Sequence, residues 1–531
     1  MVKNMGTNKN YYVTTPIYYA SGMVHIGNSY STVVADVFAR YHRLKGDDTF
    51  FLTGMDEHGL KIEEAAAKRG LSPQEFVDDI AAKTSNLWSN LKITNDDFIR
   101  TSEPRHVKVV QDVFEQLLKS GDIYLGSYEG WYCTPCESFW TDTQVGENHI
   151  CPDCGRPVHK AKEECYFLNL KKYQQQLLDY IKEHPDFIQP ETRKNEVVSF
   201  VESGLEDLCV SRTTIKCGIP VLSNPNHTVY VWIDALTNYI SALGYKSDND
   251  ANYQKYWCDA KEVIHVVGKD ILRFHAVYWP IMLMALKLPI PFKVYAHGWI
   301  LMKEGKMSKS KGNLVYPMDV VNRYGLDALR YYLVKEMPLG NDGLFTWERF
   351  IERFNVDLAN DLGNLVSRTI SMINKYFGGK IVKASKKYFA FDDEVEALAA
   401  EVVDNYKKDF EAFHFQDGLE EVWKLISRAN KYIDETMPWA LAKDETKQEE
   451  LKDVMYHLYE VLRLVSIMIK PVMEDTAKII IEELGLKEDE ASFDKLVFGL
   501  NIENSVIDKP VVLFKRLNLQ EELEKISEAN N

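Results

Sequence analysis

Tyr11-Tyr-Val-Thr-Thr-Pro-Ile-Tyr-Tyr19 is dense in aromatic and β-branched residues, a run that favours a strand. Gly22-Met-Val-His-Ile-Gly27 follows as a turn, and Ser29 to Leu44 then carries Val33, Val37 and Tyr41 at helical spacing. Asp48-Thr-Phe-Phe-Leu-Thr53 reads as a second strand, ending at Gly54-Met-Asp-Glu-His-Gly59. Strand, turn, helix, strand is the opening of a parallel α/β sheet. Ligands in such sheets bind outside the carboxyl ends of the strands. Tyr19, His25 and Asp56 all fall at that edge.

Further along, Gly126 to Lys162 is dense in Cys, Gly, Pro and charge and suits an insertion better than a sheet. Strand-like text resumes at Thr228-Val-Tyr-Val-Trp-Ile233 and Glu262-Val-Ile-His-Val-Val267, so one sheet domain is interrupted. From Leu358 onward the period is helical. Leu358, Leu362, Leu365, Val366 and Ile370 share one face. So do Val422, Leu425, Ile426, Ala429 and Ile433, then Val454, Leu458, Val461, Leu462 and Val465, which predicts a helix bundle. Arg516 to Asn531 is mostly polar, and there is no internal repeat or low-complexity segment.

A chain of 531 residues suggests roughly three or four domains. Its net charge of −16 argues against indiscriminate nucleic-acid binding, which needs Lys and Arg on phosphates, but leaves room for a selective RNA partner. No apolar run of transmembrane length is present, and Met1 to Asn10 lacks a signal-peptide core, so the expected setting is cytoplasmic, with no membrane partner. Thiols stay reduced there, so paired cysteines suggest metal before disulfide. Cys133-x2-Cys136 and Cys151-x2-Cys154 are separated by 14 residues. Each pair can hold one side of a tetrahedral Zn²⁺, and four protein ligands make the site structural. The plainer alternative is free buried thiols. Cys165, Cys209, Cys217 and Cys258 lack paired spacing, so one zinc is expected.

Two segments point to phosphate. His25-Ile-Gly-Asn28 lies between a strand and a helix, where backbone N–H groups attract anions, Gly27 lets a ligand approach, and His25 can donate to a phosphoryl oxygen. Lys306-Met-Ser-Lys-Ser-Lys-Gly-Asn313 is a cationic loop able to clamp a triphosphate and stabilise charge on departing pyrophosphate. Taken singly, each also fits a solvated turn. As a pair separated by a sheet and an insertion, they resemble the class I aminoacyl-tRNA synthetases.

Within that class the chain resembles the methionine branch from about Asn10 to Lys515. The matching text is Thr14-Thr-Pro-Ile-Tyr-Tyr19, Gly54-Met-Asp-Glu-His-Gly59, Val231-Trp-Ile-Asp-Ala-Leu-Thr-Asn-Tyr239, Gly268-Lys-Asp-Ile-Leu-Arg-Phe-His275 and His297-Gly-Trp-Ile300. One departure is Asn28, where the branch usually has histidine. Asn can donate a hydrogen bond but carries no charge.

The resemblance implies a Rossmann-like catalytic domain in two halves (10–118 and 227–296), an insertion with a zinc knuckle (119–226), a linking domain with the lysine loop (297–357), a helical anticodon-binding domain (358–515) and a polar tail (516–531). It implies that Asp56 holds the substrate ammonium. Ile17 through its backbone, with Tyr19, Trp232, Leu236, Tyr239, Phe274 and His275, would line a methionine pocket, and the Tyr239 hydroxyl would donate weakly to sulfur. Arg212 would pair with Asp56 or the substrate carboxylate region. His25, Gly27, Asn28, Gly268, Asp270, His297, Gly298, Lys306, Met307, Ser308, Lys309 and Ser310 would bind ATP with its Mg²⁺, with His25, Asn28, Lys306 and Lys309 catalytic. Asn364, Arg368, Pro438 and Trp439 would read the anticodon of tRNA(Met). For the apolar residues alone, ordinary core is the plainer reading. The activity implied is a methionine–tRNA ligase that makes methionyl-adenylate and pyrophosphate, then charges tRNA for initiation and elongation. A further tRNA-binding domain that also dimerises finds no room before Asn531, so a monomer is expected.

Three rivals remain at this point. A cysteine, leucine, isoleucine or valine enzyme of the same class is one, although the last three carry much longer insertions. A small-molecule nucleotidyltransferase would not need the insertion or the bundle. A non-enzymatic RNA-binding descendant would not need His25, Asp56 and the lysines.

Overall fold

The computed structural model describes residues 9–529 apart from 136, 137, 141, 153, 304, 307–313, 382, 385 and 501–503. The chain forms two units: residues up to Val24 with Asp48–His297, and His25–Asp47 with the chain from Gly298 onward.

In the first unit, strands with apolar residues on both faces build a parallel sheet. Tyr11, Tyr12 and Val13 are all buried, as are Val263, Ile264, Val266 and Val267, a run that only a sheet covered on both sides accommodates. The strands are β1 (Asn10–Tyr19), β2 (Asp48–Asp56), β3 (Asp97–Arg100), β4 (Ile188–Gln189), β5 (Glu262–Gly268) and β6 (Phe292–His297). Their order is β3-β2-β1-β5-β6-β4, and every pairing is parallel. From β1 the chain passes through helix α1 (Ile26–Lys45) to β2 and β3, then later returns on the other side of β1 with β5. The strand order therefore switches between β1 and β5, the place where such sheets open a ligand crevice. The register of β1 on β2 shifts between Thr14 and Ile17, around Pro16, which has no N–H to give the ladder.

The insertion is an antiparallel sheet in which Ile123–Cys133 pairs with His159–Leu168, flanked by Ser138–Trp140 and Leu208–Cys209. The stretch 119–226 is not all insertion, because β4 lies within it and joins the parallel sheet. Thr228 to Ile233 also differs from the strand its sequence suggests. Only Thr228–Val229 is extended, paired with Ser211–Arg212, and helix α2 (Trp232–Ser241) starts directly after Val231. The helical period of Trp232, Leu236 and Tyr239 overrides the β-branched run before it. The junction leaves Val231 at φ 24°, an unfavourable conformation for a β-branched residue.

In the second unit, Ile300–Met302 pairs with Gly305–Lys306 and with Gly343–Leu344. Helices α3 (Leu326–Glu336), α4 (Asn364–Phe377), α5 (Ala390–Glu411), α6 (Phe415–Thr436) and α7 (Gln448–Ile469) follow. The three apolar faces read from sequence are all buried, including Leu362, Ile426 and Leu462. α1 is tied to this unit by charge: the buried Asp36 takes Arg40 at 2.6 Å and Arg330 of α3 at 2.7 Å. Arg330 also donates to the carbonyls of Val472 and Pro471. The polar tail is itself a helix, α8 (Leu519–Ala529), with Ile526 buried and Glu522 accepting from the Tyr324 hydroxyl at 3.0 Å. Among the described residues no helix is long and apolar enough to cross a membrane.

Candidate active site

Four adjacent strands of the first unit each end on a residue singled out above. Tyr19 closes β1, Asp56 β2, Gly268 β5 and His297 β6. Tyr19 stands opposite Asp56, and Gly268 opposite His297. A Cβ on Gly268 would meet Asp270 Oδ1 at 2.6 Å and His297 Cε1 at 3.7 Å, so the three gather at one strand end. Ile17 is half-buried opposite Gly54, and the Lys61 ammonium lies 5.5 Å from the Tyr19 ring.

Trp232, Leu236 and Tyr239 share one face of α2 by helical spacing. The Trp232 ring stacks on Phe274 with centroids 3.4 Å apart and planes 8° from parallel, both rings half-buried. Deeper in, the Tyr239 hydroxyl lies 2.7 Å from His275 Nε2, and His275 Nδ1 lies 2.9 Å from the Ile271 carbonyl. A carbonyl only accepts, so Nδ1 carries the proton and Nε2 accepts from Tyr239. Burial pushes the His275 imidazole down to about 4, which keeps it neutral. The Tyr239 proton is thereby committed to His275, and the hydroxyl does not point its donor at a free acceptor site. His265, stacked on Tyr239 at 4.1 Å and bonded to Thr14 Oγ1 at 2.8 Å, is likewise held neutral by burial. Arg212 is buried with its guanidinium 4.4 Å from the Tyr230 ring and 4.8 Å from the Tyr132 ring. Aromatic faces replace part of the solvation a buried cation loses.

In the second unit, His25 is the N-cap of α1. Its Nδ1 accepts from the Gly27 N–H at 3.1 Å, and Asn28 Oδ1 accepts from the His25 N–H at 3.3 Å, a reciprocal capping box. A Cβ on Gly27 would press on the His25 ring at 3.0 Å. Gly27 therefore makes room for the imidazole, whose other nitrogen, Nε2, is the one with a proton to donate. The Ile26 N–H donates to the Val315 carbonyl at 2.9 Å, joining the start of α1 to the chain just after the lysine loop. Within that loop Met307, Ser308, Lys309 and Ser310 lie outside the described residues, and of Lys306 only the backbone is described. Gly298 packs against backbone, since a Cβ there would fall 1.9 Å from the Asn341 carbonyl oxygen.

A family model described as tRNA synthetases class I (M) matches residues 11–370, and one described as the anticodon binding domain of methionyl tRNA ligase matches 382–528. The methionine–tRNA ligase of Oceanobacillus iheyensis is 53% identical over 98% of this chain and 78% of its own. That of Bacillus subtilis is 52% identical over 97% and 79%. The chain belongs to the methionyl-tRNA synthetase family. A crystal structure of the Mycobacterium tuberculosis methionyl-tRNA synthetase with methionyl-adenylate has TM-score 0.91 and 37% identity, covering 96% of this chain and 100% of that one.

In this family member, the cysteine knuckle at the end of the long insertion strand brings Cys133, Cys151 and Cys154 together, their sulfurs all within 4.8 Å of one another. Cys133 Sγ and Cys154 Sγ are 3.5 Å apart, within hydrogen-bonding reach and not joined by a disulfide. Three thiols that close, two of them buried, fit a metal better than free thiols. Cys136 lies outside the described residues. In the bundle, Asn364 is exposed at the first turn of α4, and Arg368 pairs with Asp434 of α6 at 3.3 Å. Trp439 is 42% exposed beside the buried Pro438, so it is not core.

His58 and Asp234 stand inside the matching segments with no role implied for either, and His106 stands outside them. The three are joined through Asp234. The available signal was polar residues interrupting otherwise apolar text, which does not name partners 176 and 128 positions away.

Proposed function

We propose that the protein activates L-methionine with ATP, releases pyrophosphate, and passes the methionyl group to the 3′ end of tRNA(Met), serving initiation and elongation in the cytoplasm. The observation that carries this reading is the half-buried Trp232–Phe274 stack, in a chain whose fold matches, at TM-score 0.91 and 37% sequence identity, a methionyl-tRNA synthetase in complex with methionyl-adenylate. Aromatic faces attract a thioether by about 0.3–1.5 kcal/mol each. Trp232, Phe274, Leu236 and the Tyr239–His275 pair form the side-chain cup, with Ile17 and Tyr19 beside it. Asp56 takes the ammonium as a charge-assisted pair. Arg212 supports the carboxylate end, and Asp270, with Gly268 and His297, takes the ribose.

No protein nucleophile is needed. The methionine carboxylate attacks the α-phosphate in line, so catalysis is positioning and electrostatics. His25 donates from Nε2 to a phosphoryl oxygen, Asn28 holds His25 in its cap, and Gly27 keeps room for that ring. Lys306 and Lys309, with Met307, Ser308 and Ser310, hold the departing pyrophosphate, and Gly298 leads into their loop. ATP enters with Mg²⁺. Cys133, Cys136, Cys151 and Cys154 hold one structural Zn²⁺, which braces the insertion. Asn364, Arg368 and Trp439, after Pro438, read the anticodon by stacking and edge hydrogen bonds. On this reading the protein acts as a monomer.

Pyrophosphate exchange with each of the twenty amino acids tests this. Strong exchange with methionine alone is expected. Preference for leucine, isoleucine, valine or cysteine, or exchange without charging of tRNA, would replace it with one of the rival readings.

A further inference from the structure

The first unit buries a further chain of hydrogen bonds. His58 Nδ1 lies 2.6 Å from Asp234 Oδ2, His106 Nε2 lies 2.8 Å from Asp234 Oδ1, and His106 Nδ1 lies 2.7 Å from Ser241 Oγ. Asp234 and His106 are essentially sealed from solvent. A lone carboxylate at that depth would be strongly destabilising, and two imidazole donors, one on each oxygen, offset the cost. Burial alone would raise the Asp234 carboxyl, but His58 and His106 together hold it down at about 2. It is an anion at every working pH.

What this network joins is informative. His58 comes two residues after Asp56, at the carboxyl end of β2. Asp234 and Ser241 stand on α2, which carries Trp232, Leu236 and Tyr239. His106 stands on the helix Pro104–Lys119. The hydrogen bonds are thus a strut between the strand end that carries the ammonium anchor and the helix that carries the side-chain cup.

We propose that His58 and Asp234 are positioning residues for the amino-acid substrate, fixing the distance between its ammonium site at Asp56 and its side-chain site on α2. This rests on the methionine reading of the pocket. A flexible amino acid is held at both ends only when the two contacts are spaced for it, and a misplacement of ~1 Å can cost about a hundredfold in rate.

His58 adds a titration. Burial pulls its imidazole down, but Asp234, then Asp56 and Glu57, more than reverse this and lift it above the ordinary histidine value. Around it, Glu57 is bound to Arg100 at 2.6 Å, and Glu63 accepts the backbone N–H of Lys216 at 2.8 Å. Glu57, Glu63, Lys216 and Cys217 line one cavity with His58, the Arg212 guanidinium lines a second with it, and burial pushes the Cys217 thiol up to about 11, so it is uncharged. An imidazolium beside Asp56 opposes a second cation there. Losing that charge as pH rises strengthens ammonium binding, while the neutral ring keeps Nδ1–H on Asp234 and the strut persists.

The test is methionine-dependent pyrophosphate exchange by the full chain, with KM for methionine and for ATP followed across neutral and mildly alkaline pH. His58→Ala is expected to raise the methionine KM about tenfold or more and to move the ATP KM by less than about twofold. His58→Asn, whose amide can reach Asp234, is expected to recover most of that loss. The parent is expected to show a rise of kcat/KM for methionine with pH above the ordinary histidine range, and His58→Asn is expected to abolish it. An unmoved methionine KM in folded His58→Ala, equal rises in both KM values, or a pH step that survives in His58→Asn would each overturn the proposal. Should His58→Ala not fold, the His58→Asn pH profile alone decides. A parent enzyme that ignores methionine would instead remove the reading on which the proposal rests.

Discussion

His275 shows how burial sets chemistry at a single residue. The unfolded chain takes up a proton there near pH 6.5, the ordinary histidine value, whereas the native imidazole, buried and bonded on both nitrogens, does so only near 4. The unfolded state therefore binds more protons in that window, and native stability is complete above it and falls as pH drops through it. The loss is on the order of 3 kcal/mol from this group. Urea titrations of the parent and of His275→Asn should show the stability gap between them narrowing by that order between neutral and acid pH, and a constant gap would mean the ring is not held neutral. Lys306 calls for a different readout. Lys306→Ala should lower the rate of adenylate formation about 10²–10³-fold, as removal of a transition-state donor does, with methionine affinity hardly changed. Equal losses in rapid-quench and equilibrium-binding measurements would contradict the role. At this scale the sequence conveyed residue types well and tautomers not at all. Histidine at position 25 was visible, but its use of Nδ1 as a helix cap depends on a backbone angle, and the commitment of the Tyr239 proton depends on a ring 36 positions away.

Elements were legible where one period dominated. Val422, Leu425, Ile426, Ala429 and Ile433 repeat at helical spacing and are all buried on α6. Thr228 to Ile233 misled because a β-branched run and a helical period overlap there, and burial of Leu236 and Tyr239 decided between them. In α8, average polarity masked Leu519, Leu523 and Ile526, which lie on one face. The start of α5 offers a test. Asp392 accepts from the Phe389 N–H at 2.7 Å and the Tyr432 hydroxyl at 2.6 Å, tying that helix start to α6. Asp392→Ala leaves both donors unmatched and should cost about 2 kcal/mol or more. Chemical denaturation should place Asp392→Asn, which keeps an acceptor, between the two.

For the whole molecule, the parallel sheet was legible in the opening residues, because one strand–helix–strand passage starts such a sheet, whereas its strand order was not. Nor was the return of β4 to that sheet from inside the insertion, since a two-residue strand carries no period. If Cys133, Cys151 and Cys154 with Cys136 hold one metal ion, a chelator should release about one zinc per chain and open the insertion to protease before the parallel sheet. Cys154→Ser should do the same without chelator, and equal resistance with and without metal would deny the ion a structural part. The division of the chain has its own consequence. Asp36, which neutralises the buried Arg330, is contributed by α1, far from Arg330 in the sequence and bracketed by two strands of the other unit. No single scission therefore yields an independent helical half. A fragment beginning at Gly298 would lose both the carboxylate that pairs with Arg330 and the helix packed beside it, and anyone wishing to study anticodon recognition in isolation must either graft α1 back or replace Arg330 with an uncharged side chain.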